Sequence, residues 1–295
     1  MSAVRPAWMG RPSIAVKAAK ALALTVVVAL VLFPLWTVAA TSLADPRDVI
    51  AGGGWVIWPQ RPSFTAYREI LDGGIVTRAL LVSAGVTVVG TALSLVCTIG
   101  LAYALSRPQT YGGRPLLLMV LFTFLFPPGM IPLFLVVRGT GLFDQFGALV
   151  LPFLVNVFNL VVMRGFFQSI PTELIEAARI DGAGELAVLG RIVLPLSKAV
   201  IAVIGLFYAV AYWNRFFEAI IYFNDQSKWP VGTVLRQYVT QGASLADPGS
   251  EGAAATAPQS VQMAVVVLAT LPIVCVYPFL QRYFVKGVLT GALKA

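Results

Sequence analysis

Histidine is absent from this 295-residue chain, and charged residues make up only 12% of it. The first absence removes Ser/His and Cys/His nucleophile pairs, imidazole metal sites and histidine proton relays. No lysine follows a glycine, so the Gly-Lys step of a phosphate-binding P-loop occurs nowhere. The chain is therefore not a P-loop ATPase by itself. Its two cysteines, Cys97 and Cys275, both sit in apolar runs, which argues against a disulfide framework and reads as packing. What abounds is apolar surface. Hydrophobic residues reach 58%, against roughly 45–50% in a soluble domain with about 25% charged residues. Too few charges remain to keep that surface in water, so the chain reads as an all-α membrane protein.

A helix crossing a bilayer needs about 20 apolar residues at roughly 1.5 Å each. Six stretches qualify: residues 21–43, 79–106, 116–137, 147–163, 199–223 and 261–280. Only the fifth carries charge, Arg215 and Glu218, spaced i and i+3 so that they can pair near an interface. Basic residues before the first run and small ones after it resemble a secretory signal. The run is longer than the roughly 7–15 residues of a signal core, which predicts a retained anchor. The expected division is a cytoplasmic segment 1–20, a transmembrane domain 21–281 and a cytoplasmic tail 282–295.

Charge sets the expected topology. With six crossings, the side holding the N-terminus has 13 of the 21 basic residues but, of the acids, only Glu173, Glu176, Asp181 and Glu185. The positive-inside rule then places both termini in the cytoplasm. The net charge of +8 is mainly this topology signal; no basic stripe beyond the membrane edges points to nucleic acid. Two external segments are long. Residues 45–78 carry Trp55 and Trp58 as an interfacial anchor; residues 224–260 predict a short helix over 233–239, then a mobile Gly/Ala/Ser-rich stretch 241–259. The second of these is the expected contact for an external partner. No internal repeat is evident, which weakens an inverted-repeat secondary transporter.

Inside the spans, Ser83, Thr87 and Thr91 recur at four-residue steps, with Gly90, Ser94 and Thr98 adjoining, as on a helix-packing face. Pro127, Pro128 and Pro132 surround Gly129 and predict a kink or break, tolerated in lipid only against protein or a water-filled cavity. Asn156 and Asn159 in the fourth span, and Tyr212, Trp213 and Asn214 in the fifth, should point inward. Amides bond hydroxyls and aromatic faces cover sugar rings, so these five suit a polyhydroxylated solute; helix-to-helix hydrogen bonding accounts for them equally well.

The segment 170–195 is the most informative. Pro171 suits the first turn of a helix, acids gather near that start, and Gly182 permits a positive-φ stop. A second short helix over 185–192 is expected to halt before Pro195. Its residues Glu176-Ala177-Ala178, then Gly182, then Ile192-Val193-Leu194-Pro195 resemble the cytoplasmic signature of the binding-protein-dependent ABC permeases. The likeness extends through 126–151 and the ending Tyr277-Pro278-Phe279-Leu280-Gln281-Arg282-Tyr283-Phe284-Val285-Lys286-Gly287, and is closest to the second permease subunit of maltose-type sugar importers. Two departures are Ala199, where many relatives have proline, and Leu189, where an aromatic residue is common.

The resemblance implies a six-helix permease of the type I ABC importer fold in a bacterial cytoplasmic membrane. It would pair with a second permease subunit, two copies of an ABC ATPase that bind ATP and magnesium, and an external solute-binding protein. It implies an oligosaccharide or related sugar as solute, and no catalysis or cofactor in this chain. Glu173, Glu176, Ala177, Ala178, Asp181, Gly182 and Ala183 would form the coupling helix and its corner against the ATPase. The tail residues Lys286, Gly291 and Lys294 would reach between the ATPases, a solvated tail being the other reading. Other classes fare worse. A secondary transporter usually shows an intramembrane acid, and a membrane enzyme needs a convergent nucleophile and base. A non-sugar solute remains open within the ABC reading.

Overall fold

The computed structural model describes residues 13–72, 74–241 and 258–292. They form helices joined by turns; among the described residues there is an isolated bridge, Ala44 with Pro62, and no strand. In order the helices are α1 (Ile14–Ser42), α2 (Pro46–Ala51), α3 (Thr65–Asp72), α4 (Ile75–Ser106), α5 (Gly113–Leu125), α6 (Met130–Gly139), α7 (Gly147–Val150) and α8 (Val157–Gln168). Then follow α9 (Thr172–Ile180), α10 (Glu185–Val188), α11 (Leu194–Leu196), α12 (Lys198–Trp213), α13 (Phe216–Tyr222), α14 (Val231–Gln241) and α15 (Pro258–Ala292). Three helical stretches are long and apolar enough to cross a membrane alone: Ile14–Ser42, Ile75–Ser106 and Gln259–Val276. Three bent pairs also qualify: α5 with α6 at 118°, Gly147–Phe153 with α8 at 48°, and Glu185–Leu196 with α12 at 83°.

Two of the breaks along the chain have a local cause. Between α5 and α6, Pro127 and Pro128 withhold two backbone donors and Gly129 takes φ +80°, at the place the proline cluster predicts. The fifth apolar run reads as one span but is split: α12 ends at Trp213, and Asn214 and Arg215 intervene before α13. The Asn214 side-chain amide donates to the Val210 carbonyl at 2.8 Å, so a side chain competes with the backbone ladder where the helix ends. Pro195 does not halt the second short helix as expected. A π-turn over Leu189–Val193 carries the chain past the missing proline donor into α11, and the bend falls at Ser197 instead.

Two compact units form along the chain. The first holds the described residues up to Glu69 and those of α15 up to Val267. Here the stretch after α2 is tied back to the end of α1. Trp36 Nε1 donates to the Ile57 carbonyl at 2.8 Å, the Val56 N–H donates to Thr41 Oγ1 at 3.1 Å, and Arg61 meets Asp48 at 2.8 Å. Trp36 and Trp58 stack obliquely at 5.8 Å. The second unit holds the described residues from Ile70 to Gln241 and from Leu268 onward. Its hub is α4, packed against α12 and α8, with Leu149, Leu160, Met163 and Ile204 fully buried around them. The polar row on α4 runs along this packing. Ser83, Gly90, Ser94 and Thr98 are buried, and the Thr87 and Thr91 hydroxyls are shielded from solvent with no hydrogen-bond partner among the described residues.

Candidate functional site: a capped docking helix and a polar cleft

The segment after α8 is shaped by its own sequence. Thr172 follows Pro171 (φ −53°), Glu173 lies in the first turn of α9 and Arg179 in the last, each complementing the helix dipole. The end is a Schellman motif. Gly182 takes φ +82°, its N–H reaches the Arg179 carbonyl at 3.0 Å, and the Ala183 N–H reaches the Ala178 carbonyl at 2.9 Å. Ile175 is buried and roots the helix in the core, and Ala178 and Ala183 also pack against that core. Glu173, Glu176, Ala177, Asp181 and Gly182 are exposed. Beside them Leu174, Ile180 and Leu186 are exposed apolar side chains, Ile180 by 87% and Leu186 by 86%. Five of the seven coupling candidates thus face outward and two face inward. The exposed Leu and Ile side chains escaped the sequence reading because a helix surface in an apolar chain does not mark which apolar residues lack a neighbour.

This helix is tied to α4. Arg179 on α9 pairs with Glu185, and Glu185 Oε2 accepts from the Tyr103 hydroxyl at 2.5 Å. The Arg107 guanidinium lies 4.5 Å from the centre of the Tyr103 ring, and Arg164 Nε donates to the Leu105 carbonyl at 2.9 Å. A shift of α9 therefore has a short polar route to the end of α4. Along α4 the seam to α12 is a ladder of hydroxyls: Ser94 with Tyr212 at 2.8 Å and Thr98 with Tyr208 at 2.7 Å. A methyl group at Gly90 would stand 2.8 Å from the Tyr212 ring, so only glycine admits that ring.

Beyond the seam opens a cleft of about 450 Å³ between the start of α8 and α12. Its polar wall is Asn156, Asn159, Tyr208 and Arg215. Phe153, Phe158 and Phe207 supply aromatic faces, the last two 6.3 Å apart. The structure brings Asn156 and Asn159 together here. Asn156 caps α8, its side-chain oxygen accepting from the Asn159 N–H at 3.1 Å and its own N–H donating to the Tyr208 hydroxyl at 2.9 Å. Tyr212, Trp213 and Asn214 lie apart from the cleft lining: Tyr212 is buried in the seam, Trp213 Nε1 donates to the Ala269 carbonyl at 3.1 Å, and Asn214 terminates α12. Arg215 enters the cleft although its sequence role is half of a pair with Glu218, which it meets at 3.3 Å.

Near α14, which begins two residues earlier than the expected short helix, Asp144 adopts φ +58°. Lys228 Nζ bonds its carbonyl at 2.7 Å and its carboxylate at 3.0 Å. That lysine holds the Asp144 carboxyl below the usual carboxylate range. Hydrogen bonds from Ser227 do the same for Asp225. Residues 242–257, most of the expected mobile stretch, lie outside the described residues. Lys286 and Gly291 fall on α15, Lys294 falls beyond it, and the side chains of Lys286 and Lys294 are outside the described residues. No three His, Cys, Asp or Glu side chains gather as a metal site among the described residues.

Apolar helices long enough to cross a membrane, a capped surface helix and a cleft with amide and aromatic walls make this a helical membrane protein. Residues 97–290 match the family described as "Binding-protein-dependent transport system inner membrane component", and the chain belongs to that family. It is 45% identical over 263 residues to the polygalacturonan/rhamnogalacturonan transport system permease protein YtcP of Bacillus subtilis, covering 88% of this chain and 92% of that one. It is 44% identical over 267 residues to protein LplC of the same organism, covering 90% of each. Among solved structures it matches a bacterial ABC transporter chain involved in the import of the acidic polysaccharide alginate, with a TM-score of 0.86 at 29% identity over 94% of this chain and 100% of that one.

Proposed function

We propose that this chain is a permease subunit of an ATP-driven importer for oligosaccharides, working with a second permease, two ATPase copies and an external solute-binding protein. It crosses the cytoplasmic membrane six times with both termini inside; α5 with α6, Gly147–Phe153 with α8, and α12 with α13 each form one span. ATP and magnesium bind to the ATPase partner, and this chain carries no catalytic group of its own. The observation that carries the reading is α9: a short helix, capped at Gly182, that presents Glu173, Glu176, Ala177 and Asp181 to the outside while Ile175 fixes it to the core. Exposed Leu174, Ile180 and Leu186 give a partner an apolar surface to cover. Closure of the ATPase pair would push α9, and the Arg179–Glu185–Tyr103 chain would pass that displacement to α4 as a rigid-body tilt. Asn156 and Asn159 border the solute path, and the tail with Lys286, Gly291 and Lys294 reaches the ATPases.

The test is made on the complete transporter in liposomes. Gly182→Val forces a β-branched side chain into a left-handed conformation at a cost of about 1–2 kcal/mol, and Glu176→Lys reverses a charge on the docking face. Both should lower solute uptake per ATP hydrolysed, or release the ATPase, with the membrane helices still inserted. If both variants keep normal ATPase binding and uptake, α9 is a connector and the reading fails.

A further inference from the structure

We propose that the cleft selects an anionic saccharide and that Arg215 is the residue that takes its carboxylate; the inference rests on the saccharide reading above. A guanidinium inside an apolar membrane domain is costly to bury and is retained where it has work to do. The Arg215 side chain is 13% exposed and lines the cleft directly. Its protein contacts leave donors unused. One Nη1 bond reaches Glu218 at 3.3 Å, the guanidinium lies 3.5 Å from the centre of the Phe153 ring and 5.0 Å from that of Tyr212, and Nε, itself shielded from solvent, has no hydrogen-bond partner among the described residues. A single long contact is a weak match for a group whose planar fork suits a carboxylate with two parallel bonds. Across the same cleft stand the Asn156 and Asn159 amides, which suit sugar hydroxyls, and the Phe158 and Phe207 rings, which suit the apolar face of a pyranose. A uronate residue carries all three features: a carboxylate, hydroxyls and an apolar face. A neutral sugar would leave the guanidinium with the single long Glu218 contact and its ring neighbours.

The experiment uses the complete transporter in liposomes and two probes of one length, trigalacturonate and its fully methyl-esterified form, delivered by the same binding protein. That protein's own preference cancels when each variant's ratio of charged to neutral uptake is compared with wild type. Arg215→Gln should lower that ratio by about tenfold, the scale of one lost charge-assisted bond. Arg215→Lys should restore part of it, and Glu218→Gln, which frees the guanidinium, should not lower it. The double variant Arg215→Gln, Glu218→Gln avoids a lone half-buried carboxylate and should show the same loss. Equal falls for both probes, or failure of both Arg215→Gln and the double variant to assemble, would make Arg215 a packing residue and overturn the proposal. Wild-type uptake of the ester alone would overturn carboxylate selection and spare the saccharide reading. Uptake of neither probe, with ATPase still stimulated by the binding protein, would overturn both.

Discussion

Helix α9 and the α4–α12 seam are stabilised at opposite ranges. At α9 the cap is closed by bonds between Arg179, Gly182, Ala178 and Ala183, all within five residues. In the seam, Ser94 meets Tyr212 across 118 residues of chain and Thr98 meets Tyr208 across 110. The cap bonds of the first close within the helix end itself. The second exists only once two helices have packed in one register, so it reports on the whole unit. The exposed helix is closed by near neighbours, and the interior is held by contacts between distant parts of the chain.

The strongest challenge to that contrast is at Gly90. Gly90→Val would drive a branched side chain into the Tyr212 ring, which stands 2.8 Å from where a Cβ would be. Overpacking of this kind costs about 1–3 kcal/mol, so the thermal midpoint of the protein in detergent should fall while the capped α9 stays intact. Trimming the ring with Tyr212→Ala should recover part of the Gly90→Val loss. A midpoint equal to wild type would mean that the seam yields without cost.

The polar chain joining the two regions should have a smaller effect. Tyr103→Phe removes the hydroxyl that Glu185 accepts. Because the Glu185 side chain is 54% exposed, solvent replaces much of the bond, and the loss should be about 0.5–1 kcal/mol. Its signature is coupling rather than stability: ATP consumed per solute imported should rise a few-fold. Arg179→Ala should have the same effect, and the two together little more than either. Additive effects would show that Glu185 is not a relay between α9 and α4.

The smallest effect is expected at Asp144. Its native carboxyl titrates below the unfolded value because Lys228 bonds it. Stability from that contact is therefore complete above the unfolded pKa, about 3.9, and is lost as pH falls through the lower native one. Amide exchange around Asp144, corrected for intrinsic rate, should be constant from pH 5 to 8 and rise only in stronger acid. A rise already near pH 6 would contradict the Lys228 contact.

Local signals were legible because their chemistry is local. Pro171, the acids after it and Gly182 specify a capped helix without help from any other part of the chain. The prolines around Gly129 specify a break for the same reason. The reading that one apolar run equals one helix failed at Asn214, whose side chain ends α12, and the expected stop before Pro195 failed because a π-turn carries the chain through it. Both depend on hydrogen-bond geometry that hydropathy does not encode.

Composition and period determined that this is a helical membrane chain with a short helix stopped at Gly182, since burial in lipid and helix capping act on neighbouring residues. Which hydroxyls of α4 face the core, which of the five pathway candidates meet at the cleft, and that Arg215 joins them, only packing decided. A side chain's partner across more than 100 residues depends on the rotation and offset of two helices, and the energy that sets those is distributed over every contact between them.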